Sequence, residues 1–545
     1  MTNIKLLDCT LRDGGYVVGT IFGDYTIKGI TNKLVEAKVD IIELGYVKDC
    51  VKKEGSTTYS CMEEIVPSLP KIKPDNTKYA VMIEYNTFDL SKLAPAKEVG
   101  IDIIRICFFK NDVKKLAPFA ISMMEKGYEV FLQPMDTLGY SDYELLELID
   151  ETNKIMPKAL YIVDSYGAMY EDDLERIYSI FNHNLDEKIY IGVHSHNNLQ
   201  LSFALVQKIV SLSLGKRNII VDASCCGIGR GAGNANTELV VDYLTKKLNK
   251  NYNLTSILDI LDTYILKIQQ DHSWGYSVPY FISGMYNVHV NNISYLLNKH
   301  NLKAKDIEAI VACIDRKSEK RYDYEALENS IVNYFSKEVD DKDSMNFISN
   351  QLKGRKVLLV APGSSALNEQ DKIKDYINKY NPVVVCVNSI IPGITPDFLF
   401  YSNQLRYDYS KENFNDLFEK TPKILTSNIK IKSENSYIVN YNSIIKRGWK
   451  YFDNSMIMCI RLMLKLSITD IAIAGFDGYD TSSVKSINYV DSNLLTNLSL
   501  EDKEVLNKEL SEMLYEIIKT NPYEKFDFIT KSNIDVISMQ LTNLH

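Results

Sequence analysis

The chain comprises 545 residues, 45% hydrophobic and 24% charged, with a formal net charge of -9; it is too long for one ordinary core, so two or three domains are expected. The acidic balance leaves no basic patch for nucleic acid and favours small-molecule partners. Nine scattered cysteines without a C-x-x-C pair argue against a disulfide framework or zinc knuckle; with no signal-peptide run and no apolar stretch near the ~18–20 residues of a membrane span, the expected setting is the cytoplasm.

Apolar runs bounded by polar or glycine turns recur at 4–9, 39–44, 79–83, 101–109, 128–132, 159–163, 189–193 and 218–223. Helical periodicity lies between them, as from Ile27 to Val35 and from Leu145 to Ile149. Short β-branched runs alternating with helices read as parallel strands joined by crossovers. Eight such units in residues 1–235 predict an α/β fold of the (β/α)8 barrel type, with a doubly wound open sheet as the competitor.

Polar residues gather where the runs end: Asp8, Thr10, Arg12 and Asp13 after the first, Glu43 in the second, Glu84 after the third and Arg105 in the fourth. Gln133 follows the fifth, Asp164 and Ser165 the sixth, and Asp222 and Ser224 close the eighth. An open sheet would spread them along an edge, whereas a closed barrel brings them to one mouth. Thr10, Glu43, Arg105, Gln133, Asp164 and Ser165 are therefore candidate substrate-binding residues. The seventh run ends in His194-Ser195-His196. Residues i and i+2 of a strand face the same side, so both imidazoles point together at a strand's C-terminal end. Two neutral nitrogen ligands suit a divalent ion but leave its shell incomplete, which calls for oxygen ligands from elsewhere. The competing reading is an ordinary strand histidine beside a turn cap.

After the eighth run, Gly227-Ile228-Gly229-Arg230-Gly231-Ala232-Gly233-Asn234 opens a helix over 237–246. It reads either as a phosphate cradle or as a turn that delivers Asn234 to the mouth. The pattern over 236–339 is helical, interrupted at 283–289, and reads as an extension packing on the barrel or on a second subunit. A homodimer or higher homo-oligomer is expected. Residues 340–355, rich in Asp and Lys, read as a linker. A new α/β unit over 356–545 opens with a strand at 356–360, the turn Ala361-Pro362-Gly363-Ser364-Ser365, a helix over 367–379 and a strand at 383–387 ending in Asn388. A helix over 455–465 and a strand at 471–474 follow, running into Gly475-Phe476-Asp477. Strand, glycine turn, helix, strand is a Rossmann-like opening placed to bind a phosphate or nucleotide. The turn is neither G-x-G-x-x-G nor a P-loop, so NAD and ATP are not supported. Gly363, Ser364, Ser365, Asn388, Gly475 and Asp477 are the candidate nucleotide-binding residues, and a turn without a ligand is the alternative.

Leu7-Asp8-Cys9-Thr10-Leu11-Arg12-Asp13-Gly14-Gly15, His194-x-His196 and the glycine-rich loop ending in Asn234 together resemble the metal-dependent pyruvate aldolase and lyase superfamily. That superfamily includes 4-hydroxy-2-oxovalerate aldolase, 3-hydroxy-3-methylglutaryl-CoA lyase and the isopropylmalate and homocitrate synthases. The resemblance spans residues 1–300 and implies a barrel with a divalent cation, Mn²⁺ or Mg²⁺. It makes Asp13, His194 and His196 the ligands, and Asn234 a fourth ligand or close neighbour. Val163-Asp164-Ser165-Tyr166-Gly167-Ala168-Met169 resembles the aldolases' sixth-strand motif, which lines their oxo-acid pocket, and favours an aldolase over an acetyl-CoA synthase.

Forming or cleaving a C–C bond beside a carbonyl passes through an enolate, whose charge must be neutralised where it develops. A metal chelated by a 2-oxo acid supplies part of that stabilisation, and Arg12 adds a fixed positive charge. Arg12→Ala is expected nearly to abolish turnover and to leave the fold intact. The aldolases carry a His three residues after the Asp, where this chain has Tyr16, and Gly284-Met285-Tyr286 resembles a Gly-x-Tyr in their helical extension. Tyr16 and Tyr286, with His289, are the candidate acid/base residues or substrate contacts.

In the C-terminal part, 360–365, Val387-Asn388, Tyr401-Ser402, Asn454-Ser455 and 474–479 are similar in order and spacing to bacterial CMP-sialic-acid-dependent sialyltransferases and motility-accessory-factor-like proteins. This implies a nucleotide-sugar site. The only histidine after residue 300 is His545, so no transferase base is assigned. The expectation is a bifunctional cytoplasmic enzyme: a metal-dependent aldolase acting on a 2-oxo acid and an aldehyde, fused to a nucleotide- or nucleotide-sugar-binding domain in surface-glycan biosynthesis. An acyl-CoA-dependent Claisen synthase is the second reading, marked by free thiol released from acetyl-CoA with a 2-oxo acid. A non-catalytic barrel scaffold with a nucleotide-sensing domain is the third, marked by no bound divalent ion.

Overall fold

The computed structural model describes all residues except 1–2, 52, 71–73, 75, 301, 303, 315–321, 323, 336–338, 430–434, 447, 450, 453, 482–498 and 538–545. The chain forms two compact units, the first from Met1–Asn298 and Leu302–Leu327, the second from Lys299–Asn301 and Glu328–His545. Among the described residues no helix is long and apolar enough to cross a membrane.

The first unit is a closed parallel barrel. Its strands are β1 (Ile4–Asp8), β2 (Ile41–Val47), the two-residue β3 (Thr58–Tyr59), β4 (Lys78–Glu84), β5 (Ile103–Phe108), β6 (Glu129–Pro134), β7 (Ala159–Asp164), β8 (Tyr190–Ser195) and β9 (Ile219–Ala223). The order β1-β9-β8-β7-β6-β5-β4-β2 is closed by pairing of β1 with β2, and β3 pairs in parallel with the end of β2 at Tyr46 and Val47. All eight apolar runs expected as strands are barrel strands, because a strand covered by helices on one face and packed inside the barrel on the other is apolar almost throughout.

Alternate strand residues point inward. Ile41, Ile103, Phe131 and Ile220 belong to the cluster filling the barrel. Two residues further along, on the same inward face, stand Glu43, Arg105, Gln133 and Asp222, so the polar tier at the mouth sits directly on an apolar one. Position 192 of β8 faces inward, two residues before His194, and is glycine because a Cβ there would lie 2.3 Å from the Tyr161 ring. That ring stacks under the Arg105 guanidinium at 4.9 Å.

The eighth crossover helix is Thr237–Leu248. It completes the last βα unit, so the barrel runs past 235, the boundary expected from sequence, and the helical extension begins after it. The extension contains the helices Leu254–Ile260, Leu266–Asp271, Val278–Tyr286, Val290–His300 and Ala304–Val311.

The second unit holds a seven-stranded parallel sheet of β10 (Val357–Val360), β11 (Val383–Val387), β12 (Phe398–Tyr401), β13 (Lys423–Thr426), β14 (Ser436–Val439), β15 (Asp470–Ala474) and β16 (Lys525–Phe528). The order is β14-β13-β12-β11-β10-β15-β16. Val357, Leu359, Val383 and Val385 belong to one core cluster and Leu358, Val360, Val384 and Cys386 to another, so both faces are covered as in a doubly wound sheet. The strand order reverses between β10 and β15, where such folds leave a crevice.

The segment 340–355, expected as a linker, is instead mostly the helix Lys342–Leu352, with Ile348 and Leu352 fully buried in the second unit's core. The charges at 340–343 mask an apolar stripe of Met345, Ile348 and Leu352 at helical spacing, and Phe347 stacks on Tyr437 with ring centroids 4.0 Å apart. Ile348→Ala is expected to destabilise the second unit by about 2–5 kcal/mol, read by urea unfolding. A change within about 0.5 kcal/mol would fit a solvated linker instead.

Candidate active site

The mouth of the barrel is organised by a chain of buried charges. A one-turn helix, Thr10–Asp13, follows β1 directly and carries Arg12 and Asp13 inward. Arg12 Nε donates to Glu43 Oε2 at 2.8 Å and its Nη1 to Asp13 Oδ1 at 2.5 Å. Arg105, with no exposed surface, donates from Nη1 to the same Glu43 oxygen at 2.7 Å and from Nη2 to Asp222 Oδ2. The Gln133 amide, with its oxygen toward the guanidinium, accepts from Arg105 Nη2 at 3.0 Å and Nε at 3.2 Å. Asp222 in turn accepts from His194 Nδ1 at 3.0 Å.

This chain sets the state of each end. Burial alone would raise Asp222, but Arg105 and then His194 outweigh it and hold the carboxyl below its ordinary range. Asp222 is thus an ionised acceptor that places a proton on His194 Nδ1, which in the neutral ring leaves the lone pair on Nε2. Burial would likewise raise Asp13; Arg12, His196, His194 and the Asn234 amide together hold it well below the carboxylate range. Burial lowers His196 to about 3, so this ring is neutral at physiological pH.

Asp13, His194 and His196 each offer a ligand atom, all within 4.8 Å of one another, and all three are buried. Asn234 Nδ2 donates to Asp13 Oδ2 at 2.6 Å, while its buried Oδ1 has no hydrogen-bond partner. His196 Nδ1 is also buried without one, 3.7 Å from Asp13 Oδ2 and too far for a hydrogen bond. Three carboxylates against two guanidiniums leave the network one negative charge. Lone pairs without donors and a surplus negative charge in a buried place are what a divalent cation satisfies, so this group could hold one.

Above it lies a cleft of about 640 Å³, with Arg12, Asp13, His194 and His196 at its floor. Gln133 and Ser165 line its wall, and Tyr16, Tyr166, Arg230 and His289 also border it. Arg12 Nη2 is buried there without a hydrogen-bond partner. Glu43 and Arg105 sit beneath the cleft as the charge chain and do not line it.

Besides Glu43 and Arg105, three more of the expected substrate or catalytic residues do not line the cleft. Thr10 is turned into the loop packing, where its Oγ1 accepts from the Cys225 N–H at 2.8 Å. Asp164 follows the inward Val163, so strand alternation turns it away from the cleft. Its carboxylate accepts from the N–H groups of Ala168 (2.8 Å) and Met169 (3.3 Å), and burial raises it to about 7. Tyr286 ends the helix Val278–Tyr286, and its hydroxyl donates to Glu308 of the extension, away from the cleft. Tyr16 remains at the cleft, about half exposed. Tyr166 belongs to the motif expected at the oxo-acid pocket; the lining residues not foreseen are Tyr46, Met82, Cys107, Phe109, Met135 and Arg230. For Cys107 the signal was present: it lies two residues beyond the inward Arg105.

In the second unit a cleft of about 600 Å³ opens at the crevice between β10 and β15. Gly363, Asn388, Gly475 and Asp477 line it, together with Arg406, Asn454, Ser455 and Tyr479. Ser364 and Ser365 do not. Their hydroxyls donate to Asp477, whose Oδ2 also accepts from the Ser365 N–H at 2.8 Å. A protein carboxylate therefore takes the backbone donor that a phosphate cradle would offer. The glycines serve packing: a Cβ at Gly363 would lie 2.3 Å from Gly475 O, and one at Gly475 2.1 Å from Ala361 O.

The first unit is thus an α/β barrel with a buried Asp–His–His group at the C-terminal ends of its strands. Residues 3–263 match the family model described as HMGL-like. The chain is 24% identical over 311 residues to the 4-hydroxy-2-oxovalerate aldolase of Bacillus cereus (strain ATCC 10987 / NRS 248), covering 56% of this chain and 89% of that protein. It is 24% identical over 246 residues to the oxaloacetate decarboxylase of Mycobacterium tuberculosis, covering 44% and 70%. A solved N-terminal domain of a putative aldolase from Bacteroides vulgatus aligns with a TM-score of 0.46 and 23% identity, covering 54% of this chain and 96% of that one.

Because Asp222 fixes the His194 tautomer, Asp222→Asn is expected to weaken Mn²⁺ binding by about 10- to 100-fold. Calorimetric titration of the metal-stripped full-length protein reads this, with circular dichroism as the check on folding.

Proposed function

We propose that the barrel forms or cleaves a carbon–carbon bond between a pyruvate-like 2-oxo acid and an aldehyde, with Asp13, His194 and His196 holding a divalent cation, Mn²⁺ or Mg²⁺. The observation that carries this reading is the convergence of those three ligands with a buried guanidinium edge, Arg12 Nη2, that has no hydrogen-bond partner of its own. When bound, the cation supplies Lewis-acid polarisation of the 2-oxo acid's carbonyl.

In the cleavage direction a base removes the proton of the 4-hydroxyl, the C3–C4 bond breaks to release the aldehyde, and its electron pair passes into the enolate of the 2-oxo acid. Arg12 Nη2 is free to donate to the oxygen on which that charge develops. Protonation at C3 then completes pyruvate, and aldol addition runs the same steps backward. Tyr16 is the candidate for the proton transfers, since its hydroxyl-bearing ring borders the cleft and Tyr286 does not. Asn234 acts as a brace on Asp13 and an additional oxygen ligand. The walls carry Gln133 and Ser165 for the substrate's polar groups.

Full-length protein with Mn²⁺ or Mg²⁺ is expected to release pyruvate from 4-hydroxy-2-oxo acids, read by coupled lactate dehydrogenase. Neither pyruvate release nor pyruvate-dependent aldehyde consumption would sink the reading. Arg12 also neutralises buried Glu43, so Arg12→Ala would leave that carboxylate unbalanced and damage folding as well as turnover, against the expectation from sequence. Arg12→Lys keeps a charge and loses the fork; it is expected to lower kcat by about 10²–10³-fold with metal content unchanged.

For the second unit we infer binding of a nucleotide or nucleotide-sugar, which would join both units in one pathway of surface-glycan synthesis. The support is the cleft at the reversal of strand order, bordered by Arg406 as its cation. Titration with CTP and UDP-sugars followed by tryptophan fluorescence is expected to saturate, and Arg406→Ala to weaken binding at least about tenfold. No saturation at millimolar ligand would remove this reading and leave the aldolase reading standing.

A further inference from the structure

We infer that the aldehyde partner of the proposed barrel reaction carries an anionic group of its own, a carboxylate or a phosphate, received at the mouth by Arg230 together with His289. The inference rests on the aldolase reading and specifies its substrate class.

Arg230 is held where it is by the loop that bears it. Ala232 N–H donates to Asn198 Oδ1 at 2.8 Å, Gly233 N–H to Arg230 O at 3.0 Å and Asn234 N–H to Gly227 O at 3.0 Å. A bridge between His196 and Asn234 ties the loop to the end of β8. Neither glycine flanking Arg230 could carry a side chain: a Cβ at 229 would lie 2.3 Å from Asn234 Nδ2 and 2.4 Å from Asp13 Oδ2, and one at 231 lies 2.6 Å from Asn198 Oδ1. The loop therefore packs closely on the metal-ligand group and presents one long cationic side chain to the cleft.

The environment of that cation is incomplete without an anion. The guanidinium lies over the Tyr16 ring, 3.8 Å from its centroid. Its Nη1 is 3.2 Å from His289 Nε2. His289 Nδ1 accepts from the Asn291 N–H at 3.0 Å, so in the neutral ring Nε2 is the nitrogen that carries the proton. Arg230 and His289 thus present nitrogen groups side by side at the cleft edge, within reach of one incoming oxygen. Among the described residues no carboxylate pairs with Arg230, whereas Arg12 and Arg105 are each bound to two carboxylate side chains. A guanidinium fork matches a carboxylate or a phosphate equally, so both are candidates. Arg12 and the ligand group serve the 2-oxo acid on the floor; the reaction's second substrate is the one whose far end reaches Arg230.

The test uses full-length protein with Mn²⁺ and pyruvate. Succinic semialdehyde and glyceraldehyde 3-phosphate, which bear a carboxylate and a phosphate, are compared with the neutral propionaldehyde and glyceraldehyde. One of the anionic aldehydes is expected to exceed its neutral counterpart by about 10- to 100-fold in kcat/KM, and which one identifies the group. In Arg230→Gln the anionic-to-neutral ratio is expected to collapse, mainly through KM, and Arg230→Lys to keep an intermediate ratio. Equal use of anionic and neutral aldehydes by the wild type, or an unchanged ratio in Arg230→Gln, overturns the inference. Exchange of pyruvate methyl protons in D₂O, followed by NMR on the wild type, needs no aldehyde. Its presence upholds the aldolase reading when the ratio fails, and its absence removes both.

Discussion

Two buried guanidiniums shared among three buried carboxylates govern what the barrel can do. Neither Arg105 nor Glu43 is tolerable alone in a place with no solvent, since an unpaired buried charge costs several kcal/mol. Joined through one Glu43 oxygen, they make a continuous line from Asp13 through Arg12, Glu43, Arg105 and Asp222 to His194. The line does more than neutralise. It fixes the ionisation of Asp13 and Asp222, and through Asp222 the tautomer of His194, before any ligand arrives. Preorganisation of this kind is the condition under which electrostatic stabilisation of a developing charge is effective.

The line also explains the mixture of side chains below it. Arg105 rests on Tyr161, and Tyr161 has room only because β8 carries glycine at 192. A strand chosen for β-propensity alone would not place glycine there. Its cost in β8 is offset by a flat aromatic support for the most buried cation in the unit. The sequence around His194 thus answers to two demands at once: paired inward imidazoles at 194 and 196, and a missing side chain at 192.

Much of this was legible in the chain, and the misses share a cause. The eight barrel strands could be read because burial on both faces writes continuous apolar runs, and the pairing of His194 with His196 because strand alternation puts both on one side. The same alternation, carried one step further, separates inward Glu43, Arg105, Gln133 and Asp222 from outward Asp8 and Asp164. Asp8 accordingly turns to the helix layer, accepting from Thr237 Oγ1 at 2.6 Å, and burial raises it to about 6. Tyr286 and Arg230 were not decidable that way, since neither lies on a strand. Where Tyr286 goes depends on Glu308, 22 residues on; where Arg230 goes depends on contacts with Asn198 and His196 that only the closed barrel creates. The helix Lys342–Leu352 was hidden for a different reason, its charged first turn outweighing three apolar residues at helical spacing.

The two units use glycine turns to opposite electrostatic ends. In the barrel, glycines 229 and 231 let a loop lie against Asp13, Asn234 and Asn198, and what projects from it is a cation. In the second unit, Gly363 and Gly475 let two turns interlock, and what fills the first turn of the helix Ser365–Asn368 is the carboxylate of Asp477. Thr530 closes the arrangement: its hydroxyl lies 2.8 Å from Ser365 Oγ, whose one proton goes to Asp477, and accepts from the Gly475 N–H (2.8 Å). Burial raises the Asp477 carboxyl while the serine donors oppose it, so the pair of turns is held by an acid the fold has already satisfied. A phosphate directed at that helix start would meet like charge. On the nucleotide reading, phosphate recognition therefore belongs to Arg406 across the cleft. Asn454 caps the helix Ser455–Lys465 by accepting from Met456 N–H at 3.1 Å and Ile457 N–H at 3.3 Å, so its own side-chain oxygen is spent on the fold, and the Asn454–Ser455 edge contributes shape.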